Sequence, residues 1–507
     1  MRRFGALLLA LAGCGEDPAG GDRRPDGARA LLDGALDATD AVALDGATAE
    51  RAPPDAPVGD APGPDREAPR DAAVDTAPEA TLDGGATLDG ATDGAGDGAL
   101  DAPSGDTTTR GAVLYPATQT HAPLTPELVE GLRAIAARGP TLDDHVVSRV
   151  GASNSVNTNF LSCFAGSNVD LAGRDALRPT LDFVREGRVA GASALTRTSL
   201  AATVGWSAFA VLQGTPSALT REVDTARPRM ATVLFGTNDI GFRDLPRYGA
   251  NLLDIADQLT ARGVVPIFTS IPPRDDSAAA DLWVPRYVSV MRVVAQARGL
   301  PFVDLERSLR MLPTHGLGSD GIHLNVYTQG GAARGCVFTP EGLRYGHNQR
   351  NLFTLEAFQR VLGALRDGRA PDREAPRLSG SGTPSEPYEI TSLPFGDLRN
   401  TATGGVRALG RYPGCMSAAD EGGAEYYYRL RVDRPTRLRA VVVTRGTTDV
   451  DVHLMDASLR PEGCVARDDR VVTREVPAGT WHLVLDTYVS GGVERAGEYL
   501  LVVLQDP

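Results

Sequence analysis

The stretch His145-Val146-Val147-Ser148-Arg149-Val150-Gly151-Ala152-Ser153 decides how the middle of this 507-residue chain is read. Its first six residues are a short, mostly apolar run that reads as a buried strand, closed by Gly151. Residues 230–235, 264–270 and 301–305 have the same character, each ended by polar or turn residues. Between them, residues 247–262 and 284–298 have the spacing and length of amphipathic helices. Strand and helix alternating at this interval predict a parallel sheet covered by helices, with ligands beyond the carboxyl ends of the strands. Ser153 falls at such an end.

Working outward, the composition divides the chain. Residues 15–112 hold 22 acidic residues against 7 arginines, which leaves the remainder close to neutral. This segment is built of Asp, Ala, Gly, Pro and Thr, with near-repeats such as Thr81-Leu82-Asp83-Gly84 and Thr87-Leu88-Asp89-Gly90. It offers too little apolar surface to offset the entropy of ordering, so it is expected to be a disordered acidic linker over 14–112. Its aspartates match neither the EF-hand loop nor the nonapeptide calcium repeat. Ahead of it, Arg2 and Arg3, a short apolar run and Leu11-Ala12-Gly13-Cys14 read as an export signal over 1–13. The last four residues resemble a bacterial lipobox, which implies lipid attachment at Cys14, a membrane anchor, and a place in the cell envelope, at the outer membrane or cell surface.

All 51 basic residues are arginine. A Ser-Lys dyad, a lysine Schiff base and a P-loop phosphate lysine are thereby excluded. No basic stripe stands out, so no nucleic acid partner is expected. Besides Cys14, the cysteines are Cys163, Cys336, Cys415 and Cys464. They lack the pairing and histidine neighbours of a zinc site, and an even number in an exported chain predicts two disulfides. Of three pairings, Cys163 with Cys336 and Cys415 with Cys464 keeps each bridge within one predicted domain. The domains are 113–368, the α/β unit, and 387–507, joined by a Pro, Ser and Arg-rich linker at 369–386. In the last, short runs at 424–432, 438–444, 449–455, 470–476, 480–486 and 498–504, separated by turns, predict an all-β sandwich.

Serine acyl transfer needs a nucleophile on a tight turn, an imidazole base, an orienting carboxylate and oxyanion donors. Gly151-Ala152-Ser153 and Gly236-Thr237-Asn238-Asp239 each follow a predicted strand, and Asp320-Gly321-Ile322-His323 then supplies a carboxylate and an imidazole three residues apart, a workable order. Each alone is more often a turn or cap. Together they resemble the SGNH or GDSL hydrolase family, a flavodoxin-like α/β/α fold, over residues 144–365. The resemblance implies Ser153 as nucleophile, His323 as base, Asp320 as its orienter, and Asn238 and Gly205 as oxyanion donors, with Gly191 as a substitute for Gly205. Ala152 stands where the family usually has Asp. Ser207, in Gly205-Trp206-Ser207-Ala208-Phe209, is a rival nucleophile whose elbow lacks its final glycine. His145, His315 and His347 are expected to be structural or substrate-facing.

The sandwich resembles the pre-peptidase C-terminal domains of bacterial proteins through Tyr426-Tyr427-Tyr428, Asp449-Val450-Asp451-Val452, Ala478-Gly479-Thr480-Trp481 and Gly497-Glu498-Tyr499. Asp449 and Asp451 share a strand face that could hold a cation or sugar and more often would be solvated. The expected function is a surface-anchored serine esterase acting on O-acyl groups, of carbohydrate or lipid, with no metal or organic cofactor. A glycan- or protein-binding lipoprotein and an O-acyltransferase are the competing readings.

Overall fold

The computed structural model describes residues 111–506. The export signal, Cys14 and nearly all of the acidic segment lie outside the described residues. Four strands, β1 (Asp143–Gly151), β2 (Pro228–Leu234), β3 (Val265–Thr269) and β4 (Phe302–Val303), pair in parallel in the order β1-β2-β3-β4. Gly151 pairs with Leu234, Met230 with Val265, and Phe268 with Phe302. The other edge of β1 is met by a single parallel bridge from Ala202 to Gly151. β2 and β3 are buried at every position, which explains their apolar runs without alternation. Strands of that kind need cover on both faces. The longer helices supply it in pairs, α1 (Pro126–Ala137) with α4 (Gly346–Asp367), and α2 (Leu245–Ala261) with α3 (Val284–Ala297).

The C-terminal part is a β-sandwich of β5 (Tyr388–Ile390), β6 (Phe395–Asn400), β7 (Glu425–Val432), β8 (Thr436–Thr444), β9 (Val450–Met455), β10 (Cys464–Asp468), β11 (Val471–Val476), β12 (Gly479–Thr487) and β13 (Glu498–Gln505). One sheet runs β6-β13-β8-β11 and the other β10-β9-β12-β7-β5. Tyr428, Leu430, Val452, Leu485, Leu501 and Val503 fill the space between them. All six expected runs are strands; β5, β6 and β10 are additional.

The described residues belong to one compact unit, and β13 shows how the two parts join. Leu501 and Val503 face the sandwich core, while Leu500, Val502 and Leu504 join Val441 and Val443 in the core of the α/β part. This strand is apolar without alternation because both its faces are covered. α2 and α3 lie against that face, and ion pairs rim the contact: Arg298 reaches Asp257 and Glu498 at 2.7 Å each, and Arg445 reaches Asp254 at 2.9 Å and Asp257 at 2.8 Å.

Cys163 is bonded to Cys336 and Cys415 to Cys464. One expectation is overturned. Asp451 is buried, not solvated, because a loop over residues 401–424 packs onto its face of the sheet, where Tyr412 and Glu421 are also buried.

Candidate active site

The turn after β1 is possible only because residue 151 is glycine. A Cβ there would lie 2.4 Å from Ser155 Oγ and 2.6 Å from the Leu234 carbonyl oxygen. The chain passes through that gap into one helical turn, Ser153–Val156, capped by Ala152 without a side-chain bond. An Asp at that position could occupy an N–H group of the turn; with alanine, the Ser153 N–H has no protein acceptor among the described residues.

The side chain of Ser153 meets the Asp320–His323 loop. Ser153 Oγ lies 2.8 Å from His323 Nε2, and His323 Nδ1 lies 2.6 Å from Asp320 Oδ2. The other carboxylate oxygen of Asp320 accepts the N–H groups of Ile322 and His323, each at 3.0 Å. Burial pushes the Asp320 pKa up, but these two N–H groups and the imidazole outweigh it and hold the carboxyl at about 2. An ionised Asp320 favours the tautomer with the proton on Nδ1, which leaves Nε2 to accept the Ser153 hydroxyl proton. Gly321 makes this loop feasible: its φ is +66°, and a Cβ would lie 2.6 Å from the Asp276 nitrogen.

On the other side of Ser153, Gly151 N–H donates to the Ala201 carbonyl and Thr203 N–H to the Gly151 carbonyl. The loop that follows carries Gly205, at φ +81°, whose N–H has no protein acceptor among the described residues. Asn238 is brought to the same loop, its Nδ2 donating to the Trp206 carbonyl at 2.8 Å. Gly191 lies elsewhere, at the tip of a hairpin whose Gly187 packs on the His145 carbonyl, at the start of β1. The Ser207 hydroxyl has no hydrogen-bond partner among the described residues.

Several supporting residues escaped the sequence reading. Asp239 accepts N–H groups from Gly236 at 3.0 Å and Ala208 at 3.0 Å, tying the Asn238 turn to the Gly205 loop. Burial raises its pKa to about 6, although the Ala208 and Gly236 N–H groups oppose the rise. Arg274 donates to the Thr237 carbonyl at 3.0 Å while paired with Asp276, beside Gly321.

The most extensive clamp comes from the first turns of α4. Arg350, fully buried, donates to the Asn154 carbonyl at 2.6 Å and to Ser155 Oγ at 3.1 Å, with its guanidinium 3.5 Å from the Phe160 ring centre. Burial, with Arg149 nearby, lowers its pKa to about 9. Asn351 donates to the Asn159 and Gly335 carbonyls, and Asn348 to those of Arg334 and Val337. Asn154 Oδ1 in turn accepts the Leu324 N–H at 3.2 Å. The Ser153 and His323 segments are thus held by one helix and by the Cys163–Cys336 bridge. Of the remaining histidines, His145 pairs with Asp143 and stacks on Phe183, His315 pairs with Asp275, and His347 is buried at the start of α4.

Residues 165–329 match the GDSL-like Lipase/Acylhydrolase family. The match takes in Gly205, Asn238, Asp320 and His323 and begins beyond Ser153, which is placed by its contact with His323. Among solved structures, the chain is similar to a catalytic mutant of an acetylxylan esterase from Geobacillus stearothermophilus, at 13% identity over 42% of this chain and 93% of that one, TM-score 0.28. It is also similar to an acetyl esterase mutant with acetate ion, at 18% identity over 43% and 99%, TM-score 0.28. The pre-peptidase C-terminal domain of a collagenase from Bacillus anthracis matches 23% of this chain over 91% of its own length, at 12% identity and TM-score 0.16. No curated protein matches the chain. The central domain is of the GDSL-like lipase/acylhydrolase type, and the protein is a carboxylic ester hydrolase.

Proposed function

We propose that the protein is a surface-anchored serine esterase that hydrolyses O-acyl groups of carbohydrate, with Ser153, His323 and Asp320 as its catalytic residues. The carrying observation is the unbroken chain from Ser153 Oγ through the His323 ring to Asp320. As Ser153 attacks the ester carbonyl, its proton passes to His323 Nε2, and the charge that forms on the ring is balanced by Asp320. The N–H groups of Ser153 and Gly205 and the Asn238 amide donate to the oxyanion. His323 then gives the proton to the departing alcohol, leaving an acyl group on Ser153. Water, deprotonated by the same nitrogen, releases the acid and restores the serine.

Hydrolysis is favoured over acyl transfer by the openness of the site. The side chains of His323 and Asp320 are 40% and 50% exposed, so water has direct access. A carbohydrate leaving group is supported by a cavity of about 440 Å³ lined by Asn325, two residues along the chain from His323, with Tyr327, Glu341, Arg344 and Tyr345. Tyr327 and Tyr345 have ring centres 5.5 Å apart, and an aromatic wall beside planar polar groups suits a sugar face and its hydroxyls. Lipid attachment at Cys14 and the acidic segment after it would hold the enzyme at the envelope surface; loss of fatty-acid labelling in Cys14→Ser is the expected result.

Release of acetate from an acetylated oligosaccharide, with fluorophosphonate labelling, tests the activity. Ser153→Ala is expected to lose labelling entirely and to lower kcat by at least about 10³-fold. Labelling that persists in Ser153→Ala would overturn the assignment.

A further inference from the structure

The sandwich holds a buried group of ionisable side chains that the esterase chemistry does not use. Register places Glu425 of β7 opposite Asp486 of β12, and Asp486 opposite Asp451 of β9. Three carboxyls therefore lie in one row across three neighbouring strands. His453 is two residues along from Asp451, on the same face. The loop over 401–424 closes onto this row: Tyr412 stacks on His453 at 3.6 Å and donates to Asp486 at 2.5 Å, and the loop adds Glu421. The Cys415–Cys464 bridge ties that loop to β10. Glu421, Glu425, Asp486 and His453 are fully buried and Asp451 is 2% exposed.

Some of this polarity is satisfied. Glu425 accepts the Ala408 and Leu409 N–H groups and the Tyr427 hydroxyl. Arg467 contacts Asp451 Oδ2 and lies 3.4 Å from Glu421 Oε1 and 3.1 Å from Asp469. Left without a partner are Glu421 Oε2, Asp451 Oδ1 and both ring nitrogens of His453, together with Glu425 Oε2, Asp486 Oδ1 and Arg467 Nε. The ligating atoms of Glu421, Asp451 and His453 all lie within 4.8 Å of one another. A proton shared between the Glu421 and Asp451 carboxyls would relieve their repulsion, and burial beside Asp451 does raise the Glu421 pKa. That leaves the imidazole unexplained. Whichever tautomer it takes, one donor and one acceptor are buried dry, which a native structure rarely tolerates.

We propose that Glu421, Asp451 and His453 bind a divalent transition-metal ion, of zinc or manganese type, between the sheet and its covering loop. An imidazole with two carboxylates suits such ions, whereas calcium takes six to eight oxygen ligands. The ion is held by Glu421 Oε2, Asp451 Oδ1 and one His453 nitrogen, and its charge offsets that of the carboxylate row. Any proton on Glu421 leaves as the metal enters. Arg467, whose side chain is 26% exposed, turns further toward Asp469. The site joins loop to sheet, so its occupancy reads out as stability of the sandwich and not as ester hydrolysis.

The test uses full-length protein without a histidine tag, stripped with chelator, and calorimetric titration and thermal unfolding with Zn²⁺, Mn²⁺ or Ca²⁺. One equivalent of Zn²⁺ or Mn²⁺ is expected to bind and raise Tm. Glu421→Gln keeps the side-chain shape and is expected to weaken binding at least about tenfold with the esterase rate unchanged. Cobalt added to the unmutated protein gives a second reading that needs no variant, since visible bands with a nitrogen ligand are expected. Binding of Ca²⁺ alone, binding of no cation, Zn²⁺ affinity unaffected by Glu421→Gln, or cobalt bands absent would each overturn the proposal.

Discussion

Two of the buried polar clusters among the described residues are built on opposite plans. Around the proposed active site Ser153, His323 and Asp320 are accessible, and it is their supports that are buried: Arg350, Asn348 and Asn351 enter the interior, and most of their donors end on backbone carbonyls. In the sandwich the ionisable groups themselves are buried, and several of their atoms meet nothing. A buried polar group that finds its partner fixes geometry; one that does not carries a desolvation cost that something else must offset. The first plan makes a precise frame for a site open to water. The second makes a place whose stability depends on protons or cations.

That contrast can be sharpened by pH. Burial raises Asp239 to about 6 and Asp486 to about 9, both above the ordinary aspartate value near 4. Through the intervening range the folded protein keeps each proton while the unfolded chain has lost it, so stability falls as pH rises. For Asp239 the fall runs from about pH 4 to about 6 and amounts to about 3 kcal/mol at most. For Asp486 it continues toward pH 9. Urea unfolding of metal-free protein is expected to show decreasing stability across both windows. Asp239→Asn should flatten the lower one and Asp486→Asn should lessen the upper, to which Glu421, raised to about 9 by burial, also contributes. A stability that rises from pH 5 to 9 would break the comparison.

A smaller effect is expected at Arg350. Its guanidinium touches no substrate position, and it acts through the Asn154 carbonyl and Ser155 Oγ on the turn that carries Ser153. Arg350→Met keeps much of the apolar stem over Phe160 and removes the donors. The expected result is a kcat lower by roughly 10- to 100-fold with KM little changed, since displacement of a nucleophile by about an ångström has that scale. Partial recovery in Arg350→Lys would separate a positioning role from simple loss of packing. If kcat is retained in Arg350→Met, α4 is a support for stability alone.

The same contrast explains what could be read from the sequence. Gly151, Gly236 and Asn238 stand just after strands and Asp320 and His323 form a short local block, so local pattern pointed to them, and the six expected sandwich runs were visible from their apolar and β-branched residues. β5, β6 and β10 were not, and all three are edge strands, which bury less and have weaker patterns. Arg350, Asn348 and Asn351 were invisible for another reason. Polar residues on a helix ordinarily face water, and the carbonyls they meet, near Asn154, Asn159 and Gly335, are distant in sequence. Gly205 is an oxyanion donor only by family resemblance, since its own segment carries little pattern; its position depends on Asn238 reaching the Trp206 carbonyl, a tertiary contact. Glu421 and His453 belong to a loop and a strand with no shared spacing.

The smallest expected effect lies where the two regions meet. Arg445 pairs with Asp254, Asp257 and Glu498, yet its side chain is 31% exposed and Asp257 is 33% exposed, so water competes for every charge. A double-mutant cycle with Arg445→Ala and Asp257→Ala is expected to give a coupling of about 0.5–1 kcal/mol, reduced by salt. Holding the regions together falls instead to Leu500, Val502, Val441 and Val443, which are buried against α2 and α3. The double variant should therefore still unfold in one calorimetric transition. Two separated transitions would mean that the charges, not the apolar layer, couple the sandwich to the esterase, and that stability changes in the carboxylate row need not reach the active site.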